Sequence, residues 1–456
     1  MHALKLHYLD LSDLDRSDFN LVELDLEQIE IQQPDAVRLQ AFALTLAAQP
    51  ASPKICKLAD QAYKALATFQ QELFVKPLDG FPLSSELAEQ MDACLRAWRA
   101  LGQIYARCSV AGGTSDLVGA IACLRQIIVL CGFYHRELPN GAWLDLHHLF
   151  RLAQKTGLAQ SRCTWQGKRV SPEGEYLRAL LLGLADPYGL LPQEVYLLDC
   201  LLEKWAPLAK ILNSAGEGWC LDEAESIPAK WRMAIPGQDL RLDLTGLARM
   251  FAKHRHLAGA SGRFASQSRA DTITAAFLEY LEQHWFYPQS ELCEFALGSG
   301  EWVIGLKSIF ARLDGEEVAA IAARTPIDPP PQAIQIGDLV GVFAPGGEMH
   351  GLAVVVKIKW SKALEMQLEA VPGTVWPVGI QPLYRAKQPC AYQRGLLLAE
   401  SRKLFLLLAE QPLGESTLVR LLYQDKQYPV RLDSCHSLAR GVLRCQCVSI
   451  ANWLQK

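Results

Sequence analysis

The chain has 456 residues, of which 50% are apolar and 21% charged, and its 45 Lys and Arg against 49 Asp and Glu leave a formal net charge of −4. That length exceeds what one hydrophobic core usually supports and predicts about two to four domains. The apolar content excludes a largely disordered chain, and the near balance of charge excludes a protein built mainly to coat nucleic acid, so DNA is not an expected partner.

The opening, MHALKLHYLDLSDLD, lacks the basic-then-apolar order of a secretory signal. Residues 1–35 are acidic and punctuated by leucines, with a loose alternation over 21–31 that suits a short strand or extended arm. Helical spacing begins near Asp35 with Val37, Leu39, Phe42, Leu44 and Leu46, and continues over 55–74 with Leu58, Ala62, Ala65, Leu66 and Phe69. A further helix over 87–106 carries Leu87, Met91, Cys94, Leu95, Trp98, Leu101 and Tyr105 on one face. Ser115 and Asp116 are expected to cap the next, which runs to Phe133. Its apolar core, 119–134, is interrupted by Arg125 and Gln126. It also falls short of the roughly 20 residues of a membrane span, so no span is expected.

Pro139-Asn140-Gly141 reads as a turn, followed by helices at 143–154, 174–184 and 193–212, with Pro187 and Pro192 marking the last break. No fixed repeat period recurs, which favours an irregular all-α bundle or array over a solenoid. After Gly216 the pattern changes. Segments 219–223, 230–234 and 239–244 alternate like strands, and 246–256 and 271–285 read as helices around a Gly/Ser loop at 258–268. Strands at 291–297 and 301–304 and a helix at 305–313 complete a mixed module that ends in Pro329 to Pro331.

Beyond the prolines, 340–343, 352–360, 365–370 and 375–380 read as short strands reversed at Pro-Gly-Gly and Pro-Gly. A second β-rich run follows at 395–399, 403–409, 416–423, 427–432 and 440–450. The expected architecture is α+β and multidomain. It comprises a helical domain over 1–215, a mixed α+β module over 216–328 and two small antiparallel barrels in tandem, over 332–388 and 389–456.

Local catalytic signatures are absent. Gly298-Ser299-Gly300 lacks the spacing of a nucleophile elbow, and the glycines of 257–262 are not followed by the Lys-Ser/Thr of a phosphate-binding loop. Adjacent His147 and His148 point about 100° apart on a helix, so one core and one solvated histidine is the expected arrangement rather than a metal site. Cys445 and Cys447 share one face of a strand, where two buried barrel residues outweigh a redox pair. The thirteen cysteines show no regular framework, which points to reduced, buried thiols and a cytoplasmic location. The most distinctive charge pattern is Arg249, Lys253, Arg255, Arg263 and Arg269, with no acid between Asp243 and Asp271. Guanidinium groups so placed can grip phosphate in bidentate fashion. A second basic group, Arg385, Lys387, Arg394, Arg402 and Lys403, brackets the junction of the two barrels.

The phrases IGDLVGVF, GLAVVVKIKW and VGIQPL resemble the barrel of bacterial PilZ-type proteins, and the segments RFASQSRADTITAAFLEYLE and EWVIGLKSIFARLDG resemble bacterial proteins that place helices before such barrels. The resemblance implies PilZ-like barrels that bind the second messenger cyclic di-GMP through an R-x-x-x-R loop and a D/N-x-S-x-x-G strand. Arg440 and Arg444 have the first spacing, and no D/N-x-S-x-x-G string follows them. That departure leaves open other arginines, or a protein ligand. The expected function is a non-enzymatic cytoplasmic signalling or adaptor protein that senses cyclic di-GMP or a related phosphate ligand. It would carry no cofactor and would bind a protein partner through its helices. The expected ligand contacts are Arg255, Arg263, Arg269, Arg394, Arg402, Arg440 and Arg444. A protein-binding scaffold with structural barrels, and an enzyme with a dispersed site, are the alternatives.

Overall fold

A computed structural model describes residues 6–11 and 35–449, apart from 77, 79, 111–112, 223, 236–238, 255–272, 288–300, 317, 319–320, 323–332, 345, 361–363, 384–391 and 410–416. The expected strands over 21–31 and 291–297 lie outside the described residues. The chain divides into two compact units, Met1–Asp79 with Leu83–His254 and Leu281–Pro288, and Gly80–Pro82 with Arg255–Tyr280 and Gln289–Lys456.

In the first unit, helices α1 (Ala36–Ala48), α2 (Pro53–Val75), α3 (Ser85–Ser109), α4 (Thr114–Phe133) and α5 (Ala142–Lys155) are followed by a hairpin of β1 (Cys163–Trp165) and β2 (Lys168–Val170), then by α6 (Pro172–Leu184) and α7 (Pro192–Trp205). Local chemistry sets the starts. Asp35, Ser52, Ser84 and Ser171 each accept a backbone N–H from the first turn of the following helix, and Pro53 and Pro172 sit where the missing N–H costs nothing. Ser115 and Asp116 do not cap α4. They lie inside its first turn, and Gly113 is the cap residue.

Helix α4 is the centre of this unit, with its side chains from Leu117 to Phe133 buried apart from Gln126. By length and composition it is the one helix among the described residues that could cross a membrane. Here it is wrapped by other helices, and its two polar interruptions have partners. Gln70 of α2 donates to Gln126 at 2.8 Å and accepts from the Trp98 indole of α3 at 2.6 Å. Arg125 faces the other way, onto Glu175 of α6 at 3.0 Å and onto Asp199 of α7. Arg178 closes the cluster, 2.9 Å from Glu175 and 3.5 Å from Asp199. Four charges thus bridge three core helices, and the near-complete burial of Arg125 (4% exposed) is satisfied by two carboxylates.

A four-stranded antiparallel sheet completes the unit, from β3 (Lys210–Asn213), β4 (Gly216–Leu221), β5 (Lys230–Ile235) and β6 (Leu240–Asp243) in the order β3-β6-β4-β5. Helix α8 (Thr245–His254) and the last turns of α9 (Ala275–Phe286) follow. Residues 216–254, read from sequence as the start of a separate module, fall within this first unit. Trp285 is the reason on the aromatic side. Its indole donates to the Leu181 carbonyl of α6 at 2.9 Å, its own carbonyl accepts from the Trp219 indole of β4 at 2.7 Å, and it packs edge-on against Trp205 and Phe251.

The second unit holds an open five-stranded antiparallel sheet and a closed six-stranded barrel. The sheet is built from β7 (Glu301–Ile304), β8 (Ile321–Ala322), β9 (Leu339–Phe343), β10 (Met349–Trp360) and β11 (Leu364–Val371), in the order β11-β10-β9-β7-β8. Helix α10 (Leu306–Leu313) follows β7. The barrel runs through β12 (Thr374–Pro382), β13 (Gln393–Glu400), β14 (Lys403–Ala409), β15 (Leu418–Tyr423), β16 (Lys426–Ala439) and β17 (Val442–Ser449), closing as β12-β13-β14-β17-β16-β15.

Two tandem barrels are therefore replaced, among the described residues, by one sheet and one barrel. The last strand of the first β-rich run, β12, pairs with β13 and β15 rather than with β11. The Pro-Gly read as a reversal is the crossing point between them. Gly373 has φ +129°, and a Cβ there would lie 2.5 Å from the Ala399 carbonyl oxygen, so only glycine lets the chain cross at this place. The uninterrupted apolar runs of β13 and β14 follow from burial on both faces. Leu397, Leu406 and Leu408 join Val378, Ile380, Val419, Leu421, Val430, Leu432 and Cys445 in one core. Leu396, Leu398, Phe405 and Leu407 point the other way, into a second core with α10 and residues of β9 and β10.

Candidate functional site

The seven arginines expected to hold phosphate do not gather into one described pocket. Arg255, Arg263 and Arg269 lie outside the described residues. The other four belong to the barrel, and three of them are committed to carboxylates. Arg394 is 2.5 Å from Glu316 and sits 5.1 Å over the Phe310 ring. Arg440, in the turn after β16, reaches Asp338 through Nε at 2.9 Å and Nη2 at 2.8 Å, while the other Asp338 oxygen accepts the Gln335 N–H at 2.8 Å. Arg444 of β17 pairs with Glu400 and lies 3.9 Å over the Phe405 ring.

Arg402 differs. It is exposed at the tip of the β13–β14 hairpin in the left-handed region, φ +68°, next to exposed Lys403. Arg394 is the second residue of β13 and Arg402 lies in the turn beyond its last residue, so their backbones stand about 20 Å apart and cannot clamp one phosphate. Arg402, Lys403 and Arg444 do share one end, because Arg444 pairs with Glu400, which is register partner to Lys403.

The two histidines separate as their spacing on the helix requires. His147 is buried, with Nδ1 2.7 Å from the Tyr176 hydroxyl and Nε2 2.8 Å from the Ile227 carbonyl oxygen. The carbonyl can only accept, so Nε2 carries the proton and Nδ1 accepts from Tyr176. Burial holds this imidazole below its ordinary pKa and keeps it neutral. His148 is half-buried on the next face, its ring 5.5 Å from that of His7. Cys445 points into the barrel and is joined to Cys435 across β16 and β17 as a disulfide, which departs from the expectation of thiols only. Cys447, the other half of the pair read from sequence, packs against the same core as a free thiol. Among the described residues no group of three or more His, Cys, Asp or Glu could hold a metal ion.

The first unit carries a cleft of about 450 Å³ lined by His148 and Arg151 of α5, by Cys220, Leu221, Asp222 and Ala224 at and beyond the end of β4, and by Asp239 and Leu240 where β6 begins. Arg232 of β5 ties the two acids together, 3.0 Å from Asp222 and 3.9 Å from Asp239. Asp222 also accepts the Ala224 N–H at 3.1 Å. One wall of the cleft is therefore cationic and the opposite wall anionic. Asp222 and Asp239 are separated by a strand and meet only when β4 and β6 pair, so no local sequence pattern announces them.

The same α5 anchors the N-terminal segment. The Asp145 carboxylate accepts backbone N–H groups from His7 at 2.5 Å, Tyr8 at 2.8 Å and Leu9 at 2.6 Å. Arg99 donates to the carbonyls of Tyr8 and Asp10 and lies 5.0 Å over the Tyr8 ring. Gly141, with φ +85°, admits the segment, because a Cβ there would lie 2.9 Å from that of His7.

A family model described as the N-terminal domain of the cyclic-di-GMP receptor FimW matches residues 33–215, which run from the start of the helices through β3. A protein named cyclic-di-GMP receptor FimW, from Pseudomonas aeruginosa PAO1, is 25% identical over 182 residues, covering 36% of this chain and 30% of that protein. The chain thus matches less than a third of the length of that relative. No solved structure matches it. The helical part of the chain is similar to one domain of a cyclic-di-GMP receptor family.

Proposed function

We propose that this chain is a non-enzymatic cytoplasmic signalling protein of bacteria that senses cyclic di-GMP and passes its occupancy to a protein partner. The observation that carries the reading is the match of 33–215 to a domain of a family described as cyclic-di-GMP receptors. The closed antiparallel barrel of β12–β17 supports it further, as the kind of module that the PilZ resemblance implies. In this reading the phosphates of the dinucleotide meet the barrel at Arg402 and Lys403, where exposed cations stand beside the Arg444 guanidinium stacked on Phe405. The helical unit then offers the surface for the partner.

Isothermal titration of the full chain with cyclic di-GMP tests the reading. Saturable heat that weakens in an Arg402→Ala/Lys403→Ala variant is the expected result. Absence of heat up to high-micromolar nucleotide would remove the ligand from the account and leave a protein-binding scaffold.

A further inference from the structure

We infer that the outer edge of β11 is a docking strand for an extended, basic segment of a protein partner, which adds to the open sheet of the second unit as one more strand. This surface is separate from the helical one of the first unit, and its use does not depend on nucleotide binding.

The five-stranded sheet runs in the order β11-β10-β9-β7-β8, so β11 and β8 are its edges. Two residues make up β8, too few for a template. The eight of β11, Leu364–Val371, span about 26 Å. One side of β11 pairs with β10, from Leu352 opposite Val371 to Trp360 opposite Leu364. No strand among the described residues lies on its other side. The barrel is closed and has no such edge, and the edge strands of the first unit's sheet, β3 and β5, have four and six residues. An edge of this length presents N–H and C=O groups at the strand spacing, which is how extended peptides are captured. The β11 backbone is not blunted. Its sequence LEMQLEAV holds no proline, glycine or lysine, and the bulge of the hairpin lies on β10, between Val355 and Lys357.

Side-chain alternation says what the incoming strand must carry. Leu364, Met366, Leu368 and Ala370 share one face of β11, and Glu365, Gln367 and Glu369 the other. On the first face, buried Leu364 and Leu368 extend the apolar layer of Val355 and Ile358, which gives out at half-buried Met366 and exposed Ala370. Apolar residues at alternate positions of a partner strand cover that rim. On the second face Glu365 and Glu369 are exposed. Glu365 stands opposite Lys359 of β10, so a cation on the incoming strand continues the alternation of sign across the sheet. The two acids also choose among occupants. Two copies of β11 paired antiparallel about Gln367 would set Glu365 of each against Glu369 of the other, and like charges directly opposite are destabilising. A strand with Lys or Arg four positions apart meets both acids instead. The segment that fits is therefore basic at its first and fifth positions and apolar at its second and fourth.

Fluorescence anisotropy of the full chain with three labelled peptides tests it, the peptides being centred on Lys-Val-Thr-Val-Lys, Glu-Val-Thr-Val-Glu and Lys-Val-Pro-Pro-Lys. The first should bind about tenfold more tightly than the second, since attraction at two positions becomes repulsion, and its affinity should fall as salt is raised. The third should not bind. Backbone N–H groups of a strand point alternately to either side, so two adjacent prolines remove one that must face β11. In a Glu365→Lys/Glu369→Lys variant the order of the first two peptides should reverse, and its thermal melting should match the parent's because both positions are exposed. A preference that the charge reversal leaves unchanged, or binding that survives the prolines, would overturn the inference. Absence of binding by any peptide at high-micromolar concentration would do so too, and a dimer of the parent chain in sedimentation velocity would then assign the edge to a second copy.

Discussion

Replacing Arg125 with methionine removes the cation that binds α4 to α6 and α7 while keeping a side chain of similar length. Glu175 and Asp199 are 3% and 14% exposed, so the variant leaves two buried carboxylates with Arg178 as their one remaining cation in the cluster. Breaking a buried ion pair from one side costs about 3–5 kcal/mol. Arg178 offsets part of it, which argues for the lower end. In a domain of this size each kcal/mol moves the melting temperature by about 2–4 °C, so a fall of about 6–12 °C in the helical circular-dichroism transition is expected. Burial alone would raise the Glu175 and Asp199 carboxyls; the Arg125 and Arg178 guanidiniums overcome it and hold both below the ordinary carboxylate range. Their stabilising effect is therefore complete above about pH 4 and is lost as pH falls through the folded-state values. Without Arg125 the carboxyls take up protons at higher pH, so the gap between parent and variant should narrow on acidification. A triple variant, Arg125→Met with Glu175→Gln and Asp199→Asn, should recover part of the loss. A single variant melting within about 2 °C of the parent at pH 7 would refute the claim that this cluster fixes the core helices.

Other contacts make separate predictions. Asp145→Ala should free the segment 6–11, read as faster amide exchange at His7, Tyr8 and Leu9, since three charge-assisted bonds worth about 1.5–3 kcal/mol each are lost. His147→Leu should cost about 2–4 kcal/mol in thermal melting, because the Tyr176 hydroxyl and the Ile227 carbonyl lose their partner. Burial depresses the His147 pKa in the folded state, so its neutral form is favoured there. Stability from this group is present above the ordinary value near 6.5 and declines as pH falls below it, a slope the variant should lack. Gly373→Ala should destabilise the barrel by about 2 kcal/mol or more, seen as faster limited proteolysis of the second unit, through both φ +129° and the clash with Ala399.

Much of the helical unit was legible in the sequence because its signals are local. Apolar spacing and turn residues place α2, α3 and α5 within a few residues, whereas the cap read at Ser115 and Asp116 falls inside the first turn of α4. The interruptions at Arg125 and Gln126 in α4 were visible too, but their partners come from α2, α6 and α7, 50 to 74 positions away, and no local pattern announces them. The barrel shows the same limit. The strands could be read one by one, yet the pairing of β12 with β13 and β15 is a long-range choice made by side-chain burial on both faces of Leu396 to Leu398. For the site, counting arginines found cations but not their carboxylate partners, and the acids of the cleft converge only when β4 and β6 pair.

The account turns on recognition of a cyclic guanine dinucleotide by this chain. Equilibrium dialysis of the purified full chain against labelled cyclic di-GMP measures it directly, with unlabelled cyclic di-AMP as competitor. The account predicts saturable retention that unlabelled cyclic di-GMP displaces and cyclic di-AMP does not. Label that distributes equally across the membrane, or that either competitor displaces alike, would contradict it.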